Sequence, residues 1–129
     1  MKKIDVLIID DSPAFNHLTK ILVERSGMDC NIKQLSNGQV ALHHLDTVNR
    51  YPQLILLDIN MPVMDGFDFL SEYVCRPGSI EQTKVYMLTS SPHETDRRRA
   101  ETFDIVKGYF EKPLTEENLE KIMSDLDMS

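Results

Sequence analysis

Apolar positions along the chain alternate between short continuous runs and stripes of helical spacing. Ile4 to Ile9, Leu54 to Leu57 and Val85 to Leu88 are nearly unbroken apolar runs, which predicts strands buried on both faces of a parallel sheet. Ile32 and Leu35 alternate with polar residues and mark a weaker, more exposed strand. Gly108-Tyr109-Phe110 predicts a short fifth strand that ends at Lys112-Pro113. Between these runs lie helical stripes. Ser12-Pro13 supplies a cap and a first-turn proline for Phe15, Leu18, Ile21 and Leu22, and Gly27 stops that helix. Asn37-Gly38 reads as a turn before Ala41, Leu42, Leu45 and Val48, a stripe ended before Pro52. A loop through Pro62 and Gly66 leads to Phe69, Leu70, Tyr73 and Val74, stopped by Pro77-Gly78. Ser91-Pro92-His93-Glu94 reads as a capping box for a helix running to about Thr102, with Ala100 and Phe103 as its thin inward stripe. Thr115 caps a last helix whose Leu119, Ile122, Met123 and Leu126 recur at i, i+3, i+4 and i+7.

Strict alternation of strand and helix, five times over, predicts an α/β fold: a doubly wound (βα)5 three-layer sandwich with a parallel sheet between helices. No linker, repeat or low-complexity tract divides the 129 residues, so residues 1–129 are expected to form one domain without an output domain. Composition narrows the partners. With 14 basic and 21 acidic residues the net charge is −7, and the one dense basic run, Arg97-Arg98-Arg99, lies among Glu94, Asp96 and Glu101 as a solvated helix face. That disfavours nucleic acid and anionic membranes. Lys2-Lys3 begins no signal peptide, because Asp5 and Asp10-Asp11 interrupt the apolar stretch, and no run is long enough to span a bilayer. The expected location is cytoplasmic. Cys30 and Cys75 read as small buried hydrophobes, and His17, His43, His44 and His93 as surface residues without metal-ligand spacing.

The chemistry gathers at strand ends. In an open α/β sheet ligands bind beyond the carboxyl ends of the strands. Four of the five predicted strands end there in polar residues: Asp10-Asp11, Asp58, Thr89 and Lys112. Three unpaired carboxylates in one pocket repel each other, and a hard divalent cation together with the lysine neutralises them.

These residues stand in runs that resemble the receiver domain of two-component response regulators, close in size to the stand-alone chemotaxis type. The runs are Ile8-Ile9-Asp10-Asp11, Asp58-Ile59-Asn60-Met61-Pro62-Val63-Met64-Asp65-Gly66, Leu88-Thr89-Ser90 and Gly108-Tyr109-Phe110-Glu111-Lys112-Pro113. The resemblance implies a flavodoxin-like sheet of order 2-1-3-4-5 and a cis Lys112-Pro113 peptide. It makes Asp58 the phosphoacceptor, whose carboxylate attacks the phosphohistidine of a sensor histidine kinase or histidine phosphotransfer protein. It makes Asp10, Asp11, Asp58 and the backbone carbonyl of Asn60 the holders of Mg2+, for which Mn2+ could substitute, and Lys112 the partner of a phosphoryl oxygen. Read from the residues alone, Thr89 ends a strand and Tyr109 is a half-buried strand residue; the resemblance makes them the switch hydroxyl and switch aromatic. Their movement would reshape the face of the helix after the fourth strand, the fifth strand and the last helix, toward a downstream protein left unnamed. Asn60 and Ser91 match positions that tune phosphoryl lifetime, Ser91 also reading as a helix cap. Phe103 to Lys107 departs from the family in lacking a small Gly-Ala pair.

The implied protein is a signalling switch that catalyses only its own phosphorylation and dephosphorylation, or within the family a relay intermediate or phosphate sink. Two other classes compete. An aspartate-nucleophile phosphohydrolase needs Asp-x-Asp after its first strand, where this chain has adjacent Asp10-Asp11, and Asp58-Ile59-Asn60 carries an amide in place of the second acid. A flavodoxin-like cofactor binder needs a small-residue phosphate loop, which Asp10-Asp11 would oppose.

Overall fold

The apolar runs become five parallel strands: β1 (Ile4–Ile9), β2 (Cys30–Leu35), β3 (Leu54–Asp58), β4 (Lys84–Thr89) and β5 (Val106–Glu111). They form one sheet in the order β2-β1-β3-β4-β5. The computed structural model describes residues 3–126, so Lys2 of the N-terminal basic pair lies outside them. Among the described residues six helices flank the strands: α1 (Pro13–Arg25), α2 (Gly38–Leu45), α3 (Gly66–Tyr73), the single turn α4 (Ser79–Gln82), α5 (Glu94–Glu101) and α6 (Glu116–Asp125).

Alternate side chains of each strand feed two cores. Leu7, Ile9, Ile55, Leu57, Val85 and Met87 face α2, α3 and α5. Val6, Ile8, Leu54, Leu56, Tyr86 and Leu88 face α1 and α6. Every residue of β3 is buried, which is why its sequence reads as an unbroken apolar run up to Asp58. The register sets the functional edge level. Ile9 pairs with Leu57, so Asp10 and Asp58 leave the sheet side by side. Asp58 pairs with Leu88 and Thr89 with Glu111, which puts Thr89 and Lys112 next in line.

Several local expectations are corrected. Asn37-Gly38 is no free turn: the Asn37 side chain accepts from the Val40 N–H at 2.8 Å and caps α2, which ends at Leu45 before reaching Val48. Ser91 caps nothing. Its own N–H is bound to Thr89 Oγ1 at 3.1 Å, so the chain bends at Ser90 and Ser91, His93 is extended, and α5 starts at Glu94 without a side-chain cap. α3 ends at Tyr73 with Val74 as its cap, before Pro77-Gly78 is reached, and after that pair the chain makes the unforeseen turn α4, anchored by the buried Ser79 hydroxyl donating to the Tyr73 carbonyl at 2.9 Å. On α1 Phe15, Ile21 and Leu22 are partly buried, Leu22 packing against the core, but Leu18 is not an inward position. Asn16, Thr19 and Val23 are the buried positions and Leu18 is 52% exposed, because the helix turns Asn16 inward to meet the ends of β1 and β2. Cys30 is half-buried and Cys75 exposed, so neither is a core residue.

Candidate functional site

The site is assembled by β1, β3 and the residue after β5. Asp10 and Asp58 are each 3% exposed, and Asp11 stands beside them on the surface. One carboxylate oxygen from each of the three lies within 4.8 Å of the others. The Lys112 ammonium closes the cluster, 2.7 Å from Asp10 Oδ2 and 3.1 Å from Asp58 Oδ1, with only 5% of its side chain exposed. The Lys112-Pro113 peptide that follows is cis.

Neighbouring residues, among them Asn16 and Gln34 that carried no assignment in the sequence, hold this geometry. Asp10 Oδ1 accepts from the Ser12 N–H at 2.9 Å, and the Ser12 hydroxyl in turn accepts from the Phe15 N–H at 3.3 Å, so the loop after β1 folds straight into α1. The buried Asn16 amide donates to the carbonyls of Asp10 and Leu35 at 3.1 and 3.3 Å, and its oxygen accepts from Gln34 at 2.7 Å. Asn16 thus ties α1 to the ends of β1 and β2. The only signal for it was a polar residue inside an apolar stripe. On the far side Gly66 packs so close to β3 that a Cβ there would lie 2.7 Å from the Asp58 carbonyl oxygen. Asp65 and Asp68 cap α3 reciprocally, turning the loop after β3 back over the site.

Burial, and then the charge of Asp10, pushes the Asp58 carboxyl up to about 7, against the pull of Lys112. The buried cluster therefore holds more negative charge than one ammonium can offset. Three hard carboxylate oxygens in one small volume are the donor set a divalent cation prefers, so the cluster fits divalent-metal binding. Asn60, two residues past Asp58, is exposed.

Thr89 is fully buried at the tip of β4, where its hydroxyl accepts from Ser91 and its carbonyl accepts from the Lys112 N–H at 2.8 Å. Tyr109 does not join the carboxylates. Its half-buried ring packs on the α5 side, and its hydroxyl meets the His93 backbone, 3.3 Å from the N–H and 3.5 Å from the carbonyl oxygen. Phe103 to Lys107 reaches β5 without the small pair; Ile105 fills the core, and the β4–β5 register shifts between Val85 and Tyr86.

The response regulator receiver domain family matches residues 6–124. The chain belongs to that family. This receiver domain is 30% identical over 125 residues to the probable methanogenesis regulatory protein FilR2 of Methanothrix harundinacea, covering 94% of this chain and 79% of the relative. Among solved structures it is similar to a two-component response regulator from Cytophaga hutchinsonii, with a TM-score of 0.88 at 29% identity over 99% of this chain and 100% of the other. It is also similar to the Mn(2+)-bound form of response regulator Rcp1, with a TM-score of 0.75 at 27% identity over 96% and 91% of the two chains. Other relatives are much longer. The receiver domain spans 18% of a protein-glutamate methylesterase/protein-glutamine glutaminase of Hahella chejuensis and 14% of the sensor histidine kinase CheAY of Helicobacter pylori. Receiver domains of two-component systems are signalling switches that accept phosphate from histidine kinases. Among the described residues no helix is long and apolar enough to cross a membrane.

Proposed function

We propose that this receiver domain is a Mg2+-dependent phosphoacceptor whose phosphorylation on Asp58 reshapes the α5–β5–α6 face. The observation that carries the reading is the placement of Asp58: a buried carboxylate that shares one pocket with two further acids and an ammonium. An Asp58 oxygen bonds to the phosphorus of a phosphohistidine on a sensor histidine kinase or histidine phosphotransfer protein. The P–N bond breaks as this happens, and its electron pair leaves on the imidazole, which takes up a proton. Asp10, Asp11, Asp58 and the Asn60 backbone carbonyl would hold Mg2+, or Mn2+ in its place, which would supply positive charge that favours the ionised Asp58 carboxylate and offsets charge on the phosphoryl oxygens. Lys112 exchanges its contact with Asp58 for one with a phosphoryl oxygen. Thr89 turns its hydroxyl toward the same group, and Tyr109 responds on the far side of the loop. The chain turns over no substrate beyond its own acceptor, and its output is a changed surface for a downstream protein.

Incubation with acetyl phosphate and Mg2+ tests this directly. One acid-stable, base-labile phosphoryl group is expected at Asp58, and Asp58→Asn should remove it while leaving the far-UV circular dichroism spectrum unchanged. Labelling at another residue, or release of many equivalents of phosphate from phosphomonoesters, would replace the switch with a different chemistry.

A further inference from the structure

We propose that Phe15 is a positioning residue for Lys112: its ring face covers the ammonium and fixes where that charge stands when a phosphoryl group arrives. The inference rests on the role given above to Lys112. The ammonium nitrogen lies 4.7 Å from the centroid of the Phe15 ring, on a lysine whose side chain is 5% exposed. Two carboxylates and one aromatic face therefore surround a group that carries three N–H donors. A lysine is a point charge on a flexible four-carbon stem, and what meets its head decides its direction. The ring attracts the cation through its quadrupole yet offers no lone pair. It keeps water from that side without competing for the hydrogen bonds, so the ammonium can pass one of them from Asp58 to a phosphoryl oxygen.

The ring is itself held in register with the carboxylates. Phe15 stands in the first turn of α1, its N–H donating to the Ser12 hydroxyl at 3.3 Å. Ser12 donates its own N–H to Asp10 at 2.9 Å, and the neighbouring Asn16 donates to the Asp10 carbonyl at 3.1 Å. The aromatic cover and the Asp10 carboxylate are thus carried on one short stretch of chain.

Phe15→Tyr keeps the ring face, Phe15→Leu fills most of the volume without it, and Phe15→Ala removes both. Phosphorylation by acetyl phosphate with Mg2+ is followed at varied donor concentration, and modification of Lys112 by an amine-reactive acetylating reagent is read by peptide mass spectrometry. The tyrosine variant should stay near the parent. Phe15→Leu should lower the saturating rate about threefold to thirtyfold, the span from an exposed to a desolvated cation–ring contact, with the half-saturating donor concentration unchanged. Phe15→Ala should also expose Lys112 to modification. A leucine variant with the parent's rate, or an alanine variant with the parent's protection of Lys112, overturns the proposal. If the parent chain itself takes up no phosphoryl group, the proposed function fails instead, and the Lys112 modification still decides whether Phe15 covers the amine.

Discussion

Asp58 is asked to be both buried and charged, and the two demands conflict. Burial and the Asp10 carboxylate push its carboxyl up to about 7 in the metal-free protein, whereas an unfolded chain releases that proton near about pH 4. Between those values the folded state binds the extra proton, so stability falls as pH rises from about 4 to about 7. A thermal melt of the metal-free protein at stepped pH should show that decline, and Asp58→Asn should flatten it. A parent melt that rises across this window would mean that Lys112 outweighs burial. The acids and the lysine were legible in the sequence because each closes an apolar run, where a charge has no packing role. Phe15 and Asn16 were not. An aromatic and an amide within a helical stripe read as core and as noise, and their purpose exists only once the end of β1 and the start of α1 are seen in contact.

Among the elements, the loop between β3 and α3 carries visible strain. Val63 has φ of +70° and is 90% exposed, so a β-branched side chain sits in the left-handed region with no packing to compensate. The flanking contacts over-determine it. Met64 N–H donates to the Pro62 carbonyl at 2.8 Å, Gly66 N–H to the Ile59 carbonyl at 2.8 Å, and Met64 packs against Gly38. Val63→Asn or Val63→Gly should therefore stabilise the fold by about 1 kcal/mol, read as a higher melting temperature with the denaturant m-value unchanged. A melting temperature that falls would show that the valine side chain contributes something the strain does not cancel. The strands and most helices followed from periodicity and punctuation. The start of α5 did not, since Ser91-Pro92 has the right residues for a cap, but the Thr89 hydroxyl takes the Ser91 N–H first.

For the whole molecule, metal and fold are linked. A site made of residues from β1, β3 and the chain after β5 exists only when the sheet is formed, so an ion bound there stabilises the native state by mass action. Saturating Mg2+ at neutral pH should raise the unfolding free energy by about 2.7 kcal/mol at a hundredfold excess over the dissociation constant. Asp11→Asn, on the exposed edge of the cluster, should lose most of that gain while its metal-free melt stays near the parent's. The sheet order was foreseen through family resemblance; the alternation of elements alone established only a parallel sheet between helices. One feature of this architecture reaches beyond the pocket. The stretch from Ser90 to His93 hangs between two hydroxyls, its Ser91 N–H on Thr89 and its His93 N–H on Tyr109. Such a span behaves like a short bridge with a pier at each end. Since the Thr89 oxygen accepts from the span and still owns a hydrogen to donate, whatever draws that oxygen drags the near pier along and loads the far one.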